Sequence, residues 1–135
     1  MELEKSMAIS ARGMQAQTTR LTVIAQNLAN QDSTGSTPGA DPYQRKTVSF
    51  TDRVDRALGA EVVGVRAIDK DRAAFPLRFD PANPAANAQG YVKLPNVNAL
   101  VEMADMREAE RSYQANLSVM QTTRGMLSRA IGMLR

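Results

Sequence analysis

The sequence predicts a mainly α-helical protein in which long N- and C-terminal helices pack as a coiled coil around a short β-containing insert. All six prolines lie between positions 38 and 95, whereas all eight methionines lie at 1–14 or 103–133. Both end segments also space their apolar residues as helices do. Because proline interrupts helices, the chain divides into segments 1–31, 32–95 and 96–135. The two end segments are expected to form one discontinuous domain.

The N-terminal segment places apolar or small residues at alternating steps of four and three, the spacing of one face of a coiled-coil helix. Ile24 widens this stripe. Its other members are Met7, Ala11, Met14, Thr18, Leu21, Ala25 and Leu28. Polar residues occupy the opposite face. We expect one amphipathic helix of about thirty residues that ends near Ala29 or Asn30.

The C-terminal segment has a similar register, which Glu110 and Arg124 interrupt. Its members are Met106, Tyr113, Leu117, Met120, Leu127, Ile131 and Leu134. Asn96 and Asn98 are both candidate N-caps. Acidic residues crowd the early turns and arginines lie late, as the helix dipole favours. We expect a helix over 96–134.

The middle segment opens with turn-forming residues at 30–39, which the first helix cannot cross. Short runs rich in β-branched and aromatic residues follow at 47–50, 62–68, 77–79 and 91–94, and they predict strands. Five of the six aromatic residues lie in this segment. Any β core therefore forms here and is small.

The composition argues against catalysis. Without His or Cys the chain has no imidazole base, no thiolate and no zinc site of the usual kind, so we expect neither an enzyme nor a cofactor or metal. The formal charge of +3 is spread evenly, and the first helix carries only Lys5, Arg12 and Arg20, so no nucleic acid partner is expected. The longest apolar run, 73–77, predicts neither a cleavable signal nor a membrane span.

The middle segment holds the remaining candidates for a chemical site. An acid/base pair or a cation site could be drawn from Asp69, Asp71 and Asp80. Lys70 and Arg72 interleave with the first two carboxylates and neutralise them. Solvated loop charge is therefore the expectation.

Arg45 and Lys46 lie directly before the first predicted strand. We expect them to be a surface pair rather than an anion site. Such a pair could still bridge to an acidic neighbour in an assembly.

The two apolar seams are too narrow to stabilise both helices by pairing with each other alone. Burial contributes about 2 kcal/mol per seam side chain. Summed over both seams, this stabilisation is well below the conformational entropy cost of ordering both helices. Partner helices from other subunits must supply the rest, so the isolated chain is expected to have frayed ends. Gly13, Gly125 and Gly132 fit close approach of other backbones, although glycine is also tolerated on an exposed surface.

Residues 21–34 resemble the N-terminal signature of bacterial flagellar rod, hook and hook-associated proteins, which has the form N-L-A-N-x-x-T. The signature positions here are Asn27, Leu28, Ala29, Asn30 and Ser33. Ser33 stands where the family has Thr, and its retained hydroxyl is expected to keep the loop hydrogen bond. We expect Asn27 and Asn30 to cap the helix and start the turn rather than recognise a partner.

Further matches narrow the resemblance to the proximal-rod members of this family. They lie at 42–46, 79–84, 90–98, 102–106 and 111–116. The resemblance implies a non-catalytic subunit of the flagellar basal-body rod, exported through the flagellar type III apparatus and assembled helically in the periplasm. Its implied partners are other rod proteins, a rod-to-membrane-ring adaptor and further copies of itself. The terminal helices would form the inner layer of a helical tube.

The seam residues of both helices are the expected contacts between subunits. They are Met7, Met14, Leu21, Ile24 and Leu28 on the first helix, and Met106, Tyr113, Leu117, Met120, Leu127 and Ile131 on the second. Several are methionines, whose flexible side chains adapt to non-identical neighbours. Ordinary core filling would use the same residue types.

Overall fold

The computed structural model describes residues 2–134 and has the predicted order of helix, middle segment and helix. The elements are α1 (Glu2–Ala29), β1 (Lys46–Asp55), β2 (Ala60–Lys70), β3 (Leu77–Phe79), β4 (Tyr91–Lys93) and α2 (Ala99–Met133). The predicted fold class is confirmed. Positions 1 and 135 of the predicted end segments lie outside the described residues.

α1 ends where the sequence predicts, because Asn30 closes its last turn. The Asn30 N–H donates to the Gln26 carbonyl at 3.1 Å, and the Asn30 side-chain amide donates to the same carbonyl at 2.9 Å. The Ser33 hydroxyl in turn donates to Asn30 Oδ1 at 3.1 Å. The hydrogen bond expected of Ser33 is thus present.

Asn98, rather than Asn96, is the N-cap of α2. Asn98 Oδ1 accepts from the Leu100 N–H at 3.0 Å and from the Val101 N–H at 3.4 Å. These bonds satisfy backbone donors that have no partner inside the helix. α2 therefore begins at Ala99, later than the predicted position 96.

β1 and β2 form an antiparallel hairpin that is longer than the two predicted strands. The Ser49 hydroxyl reaches across it to the Ala67 carbonyl at 3.4 Å. At the turn, Asp55 Oδ1 accepts from the Ala57 N–H at 3.0 Å, and the Gly59 N–H donates to the Asp55 carbonyl at 2.8 Å. Gly59 has a φ of 61°, which glycine adopts without strain.

β3 and β4 form a second antiparallel pair, in which Val92 is fully buried. The register is Leu77↔Lys93, Arg78↔Val92 and Phe79↔Tyr91. The Phe79 and Tyr91 rings pack edge to face with centroids 5.4 Å apart. Gly90 supports this packing, because its φ is 84° and a Cβ there would lie 2.9 Å from the Phe79 ring.

The described chain divides into two compact units. Unit 1 comprises the chain up to Leu21, Val48–Ala67 and the chain from Met106 onward, and unit 2 comprises Thr22–Thr47 and Ile68–Asp105. Across residues 2–134, neither helix combines the length and the apolar character that crossing a bilayer requires.

Within unit 1 the two helices run antiparallel, and the Asn116 side chain of α2 packs on Gly13 of α1. A Cβ at Gly13 would lie 2.9 Å from Nδ2 of Asn116, and Nη2 of Arg20 lies 3.5 Å from Oε2 of Glu108. The later residue of α1 thus contacts the earlier residue of α2, as in an antiparallel pair. A Cβ at position 125 or 132 would meet nothing within 4 Å among the described residues. Of these three glycines, Gly13 is the one that a described side chain of the other helix covers.

Candidate functional site

Asn27, from the signature segment, is buried in unit 2 and uses both ends of its side-chain amide. Its Nδ2 donates to the Lys46 carbonyl at 2.8 Å and to Glu102 Oε2 at 3.2 Å. Its Oδ1 accepts from the Tyr43 hydroxyl at 2.8 Å and from the Lys46 N–H at 2.9 Å. Both donors and both acceptor positions are thus occupied.

The expectation that Asn27 caps the helix is therefore wrong. The Asn27 side chain accepts a hydrogen bond from the N–H of Lys46, the first residue of β1, and donates one to its carbonyl. The backbone of a neighbouring strand would bond to Lys46 in the same way. It also contacts the first turn of α2 through Glu102. The signature residue is a junction that holds three parts of unit 2 together.

Arg45 neutralises Glu102, which is one of the largest fully buried side chains described. The Arg45 Nε donates to Glu102 Oε1. The two terminal nitrogens of the guanidinium lie 3.2 Å from Asp71 Oδ2 and 3.6 Å from Asp105 Oδ2. The expectation of a surface pair is thus wrong for Arg45, because a carboxylate this deeply buried needs a charged partner.

Asn96 ties the segment after β2 to the start of β1. Its Oδ1 accepts from the Arg45 N–H at 2.8 Å, and its Nδ2 donates to the carbonyls of Asp71 at 3.0 Å and Ala73 at 3.1 Å. These bonds hold the backbone of Arg45 and Asp71 beside each other. The ion pair between the two side chains is therefore pre-positioned by the main chain.

Electrostatics keep Arg45 charged and the Tyr43 hydroxyl neutral. Burial alone would lower the pKa of Arg45, but hydrogen bonding and attraction to Glu102, and then to Asp71, outweigh burial and raise it. Burial, and secondarily the charge of Glu102, raises the pKa of the Tyr43 hydroxyl. A charged Arg45 and a neutral Tyr43 are suited to holding structure rather than to proton transfer.

Asp71 is a partly solvated loop carboxylate, as the sequence suggested, but it is also paired. Its side chain pairs with Arg45, whereas Asp69 is exposed as expected. The backbone N–H of Ala73, bonded to Asp71 Oδ1 at 2.9 Å, is the main cause that lowers the pKa of Asp71 below 3.8, and Arg45 adds to it against partial burial.

We expect Asp71→Asn to make unfolding less sensitive to acid. A lowered pKa in the folded state means that Asp71 stabilises the fold fully above its ordinary value of 3.8. That contribution is lost as pH falls below this value and through the folded-state pKa. Urea midpoints measured from about pH 6 down to about pH 2 should therefore fall more steeply for the natural chain than for the variant. Parallel curves would contradict this assignment.

The predicted seam of α1 remains partly open. Met7, Met14, Leu21 and Leu28 are half-buried. The α1 side chains that the chain buries fully are Ser10, Ala16, Val23, Ile24 and Asn27. Ile24 is thus covered within the chain and offers no surface to a neighbour, unlike the rest of the predicted α1 contacts.

The predicted seam of α2 is also incompletely covered. Met106, Tyr113, Leu117, Met120 and Leu127 are half-buried, and Ile131 is 54% exposed. A further exposed stripe at seven-residue intervals, comprising Val119, Met126 and Met133, was missed by sequence reasoning. The heptad spacing of these three residues was a signal that could have revealed it.

A saturated polar network and two helices with open apolar faces are typical of structural proteins that assemble with others. No group of three or more carboxylates within residues 2–134 is arranged to hold a metal ion. The described network joins the end of α1, the start of β1 and the first turn of α2.

Comparison with known proteins gives the family. Residues 88–133 match a family model described as flagellar basal body rod FlgEFG protein C-terminal. The flagellar basal-body rod protein FlgC of Agrobacterium fabrum is 50% identical, covering 98% of this chain and 96% of its own length. Those of Bacillus subtilis and Borreliella burgdorferi are 38% and 36% identical, covering 93% and 100% of this chain and 94% and 99% of their own lengths. The chain belongs to the FlgC family of flagellar basal-body rod proteins, which are structural proteins and not enzymes.

Proposed function

We propose that this chain assembles helically with other rod proteins through its terminal helices and transmits torque from the motor to the hook. Segments 1–31 and 96–135 act as one discontinuous assembly domain, and 32–95 is the middle segment. One observation carries the proposal: no methionine or leucine within residues 2–134 is fully buried. Covering such a side chain contributes about 1.5–3 kcal/mol, and contacts between subunits provide that cover.

The uncovered side chains favour an open assembly over a closed dimer. α1 leaves Met7, Met14 and Leu21 half-buried, whereas α2 exposes Met126 and Met133. Two different surfaces on one chain suit head-to-tail contacts, which generate helical filaments when the rotation does not close. Methionine side chains also adapt to neighbours of differing shape, as a rod of several proteins requires.

The proposed partners are other rod proteins, an adaptor between the rod and the membrane ring, and further copies of this chain. The proposed location is the periplasmic part of the rod, reached through the flagellar type III export apparatus without a cleaved signal. The names of the relatives support this location in the basal body. The helices gain cover for their apolar faces only on assembly. Before assembly they are therefore less stable, which supports passage of the chain through a narrow channel.

Deletion of the gene should give non-motile cells that lack rods. The full chain should restore swimming in soft agar, and a chain truncated at Asn96 should not. Normal flagella in the deletion strain would contradict the proposed function.

A matched pair of variants tests the contacts themselves. Met126→Glu and Gln121→Glu add the same charge at exposed positions on different faces of α2, so neither should disturb the fold. Met126→Glu should abolish swimming, because burying an unpaired charge between subunits costs roughly several kcal/mol of association free energy. Gln121→Glu should swim. Equal swimming of the two variants would contradict a contact at Met126.

A further inference from the structure

A cleft of about 500 Å³ lies in unit 1 between α1 and the hairpin. One wall is a single face of α1, carrying Arg12, Gln15, Ala16 and Thr19 at helical spacing. The other wall is the turn end of the hairpin, formed by 53–56 and 62–65. Its volume lies within the range of pockets that bind small molecules, about 300–1,000 Å³.

The cleft has a surplus of positive charge. Asp55 is occupied: its Oδ2 lies 3.6 Å from Arg12, and its Oδ1 accepts the backbone N–H groups of Ala57 and Leu58 in the turn. Arg53 and Arg56 also line the cleft, and neither has an ion-pair partner among the described residues. Two guanidinium groups are therefore available to bind an anionic ligand.

The lining also includes two buried aliphatic residues, which form the floor of the cleft. Ala16 and Val62 are buried at the base of the cleft. The stem of Arg53 lies across Gly64, where an added Cβ would be 3.3 Å from Arg53 Cδ. Gly64 therefore leaves room for this arginine to follow the wall of the cleft.

We infer that this cleft is a docking site for an acidic peptide segment of a neighbouring subunit, whose carboxylates pair with Arg53 and Arg56. The inference rests on the proposed function only for the identity of the neighbour. Arginine binds carboxylates through paired N–H donors, and the aliphatic floor suits the stems of glutamate side chains. Nucleic acid fits less well, because the lining carries no aromatic ring on which a base could stack.

The test is a fluorescence anisotropy titration of the full chain with a short labelled peptide of alternating Glu and Ala. A matched peptide with Gln in place of Glu is the first control. The double variant Arg53→Gln/Arg56→Gln should weaken binding of the acidic peptide by about fivefold or more, as expected for two exposed charge pairs. Arg66→Gln/Arg72→Gln, which removes two exposed arginines outside the cleft, should change it less than about twofold.

Four results would overturn the inference. They are equal binding of the two peptides, unchanged binding by the cleft variant, an equal loss in the control variant, and stronger binding of a labelled single-stranded oligonucleotide than of the acidic peptide at the same salt. Because the affected arginines are exposed, circular dichroism of both variants should match the natural chain. Peptide binding does not depend on rod formation, so it can fail while the motility experiment succeeds, and the reverse.

Discussion

Replacing Arg45 with methionine should lower the free energy of unfolding by about 3–5 kcal/mol, because the buried carboxylate of Glu102 would lose its charged partner. Methionine keeps much of the length and apolar surface of the arginine stem, so lost packing contributes little. The same change removes one ion-pair partner each from Asp71 and Asp105, but both carboxylates are partly solvated and can be hydrated. Urea unfolding followed by circular dichroism gives the difference directly.

Two further variants separate charge from packing in this experiment. Arg66→Met makes the same substitution at an exposed position of β2 and should change stability by less than about 0.5 kcal/mol. Arg45→Met combined with Glu102→Met removes both charges and should recover most of the loss, because an apolar pair can replace a buried ion pair. A double variant as unstable as Arg45→Met alone would show that Glu102 is not the cause.

Asn27→Ala is expected to be the second large destabilisation, about 3 kcal/mol. The substitution leaves both backbone groups of Lys46, the Tyr43 hydroxyl and Glu102 without a bond that they now make. An unsatisfied buried polar group costs about 1–3 kcal/mol. Because Lys46 and Tyr43 are only partly buried, water can reach their unpaired groups, and the total loss is smaller than the sum of these costs. The same urea experiment measures the loss.

Asn27→Asp distinguishes the junction from simple packing, because it keeps the shape of the side chain. It retains the acceptor oxygen but places a second carboxylate beside Glu102. Like charges at this distance cannot both be ionised cheaply, so the deficit relative to the natural chain should shrink as pH falls. A deficit that does not change with pH would argue against direct contact of position 27 with Glu102.

The helices were predictable because their signal is local. Steps of three and four mark each apolar face, and the turn chemistry after Asn30 marks the end of α1. The strands were predicted at the right places, but β1 and β2 are longer than predicted. β1 continues through Asp52 and Arg53, which resemble loop residues in sequence but are tolerated because a two-stranded hairpin leaves much of its surface in water.

The network around Glu102 was not predicted, because its members are far apart in sequence. Asn27, Arg45 and Glu102 meet only once the chain has folded, and apolar periodicity gives no information about polar partners. One signal was present. Glu102 lies four residues before Met106, on the apolar register of α2, and a carboxylate at such a position implies a buried counter-charge.

We propose that neighbouring subunits cover the open apolar faces of the terminal helices in the rod. The chain has no cysteine, so Ile131→Cys and Met14→Cys each introduce a single thiol on the proposed seams. Maleimide labelling should modify both thiols in the purified chain, spare them in isolated basal bodies, and modify them again once the basal bodies are unfolded in urea. Labelling that is as fast in intact basal bodies as in the purified chain would contradict the claim.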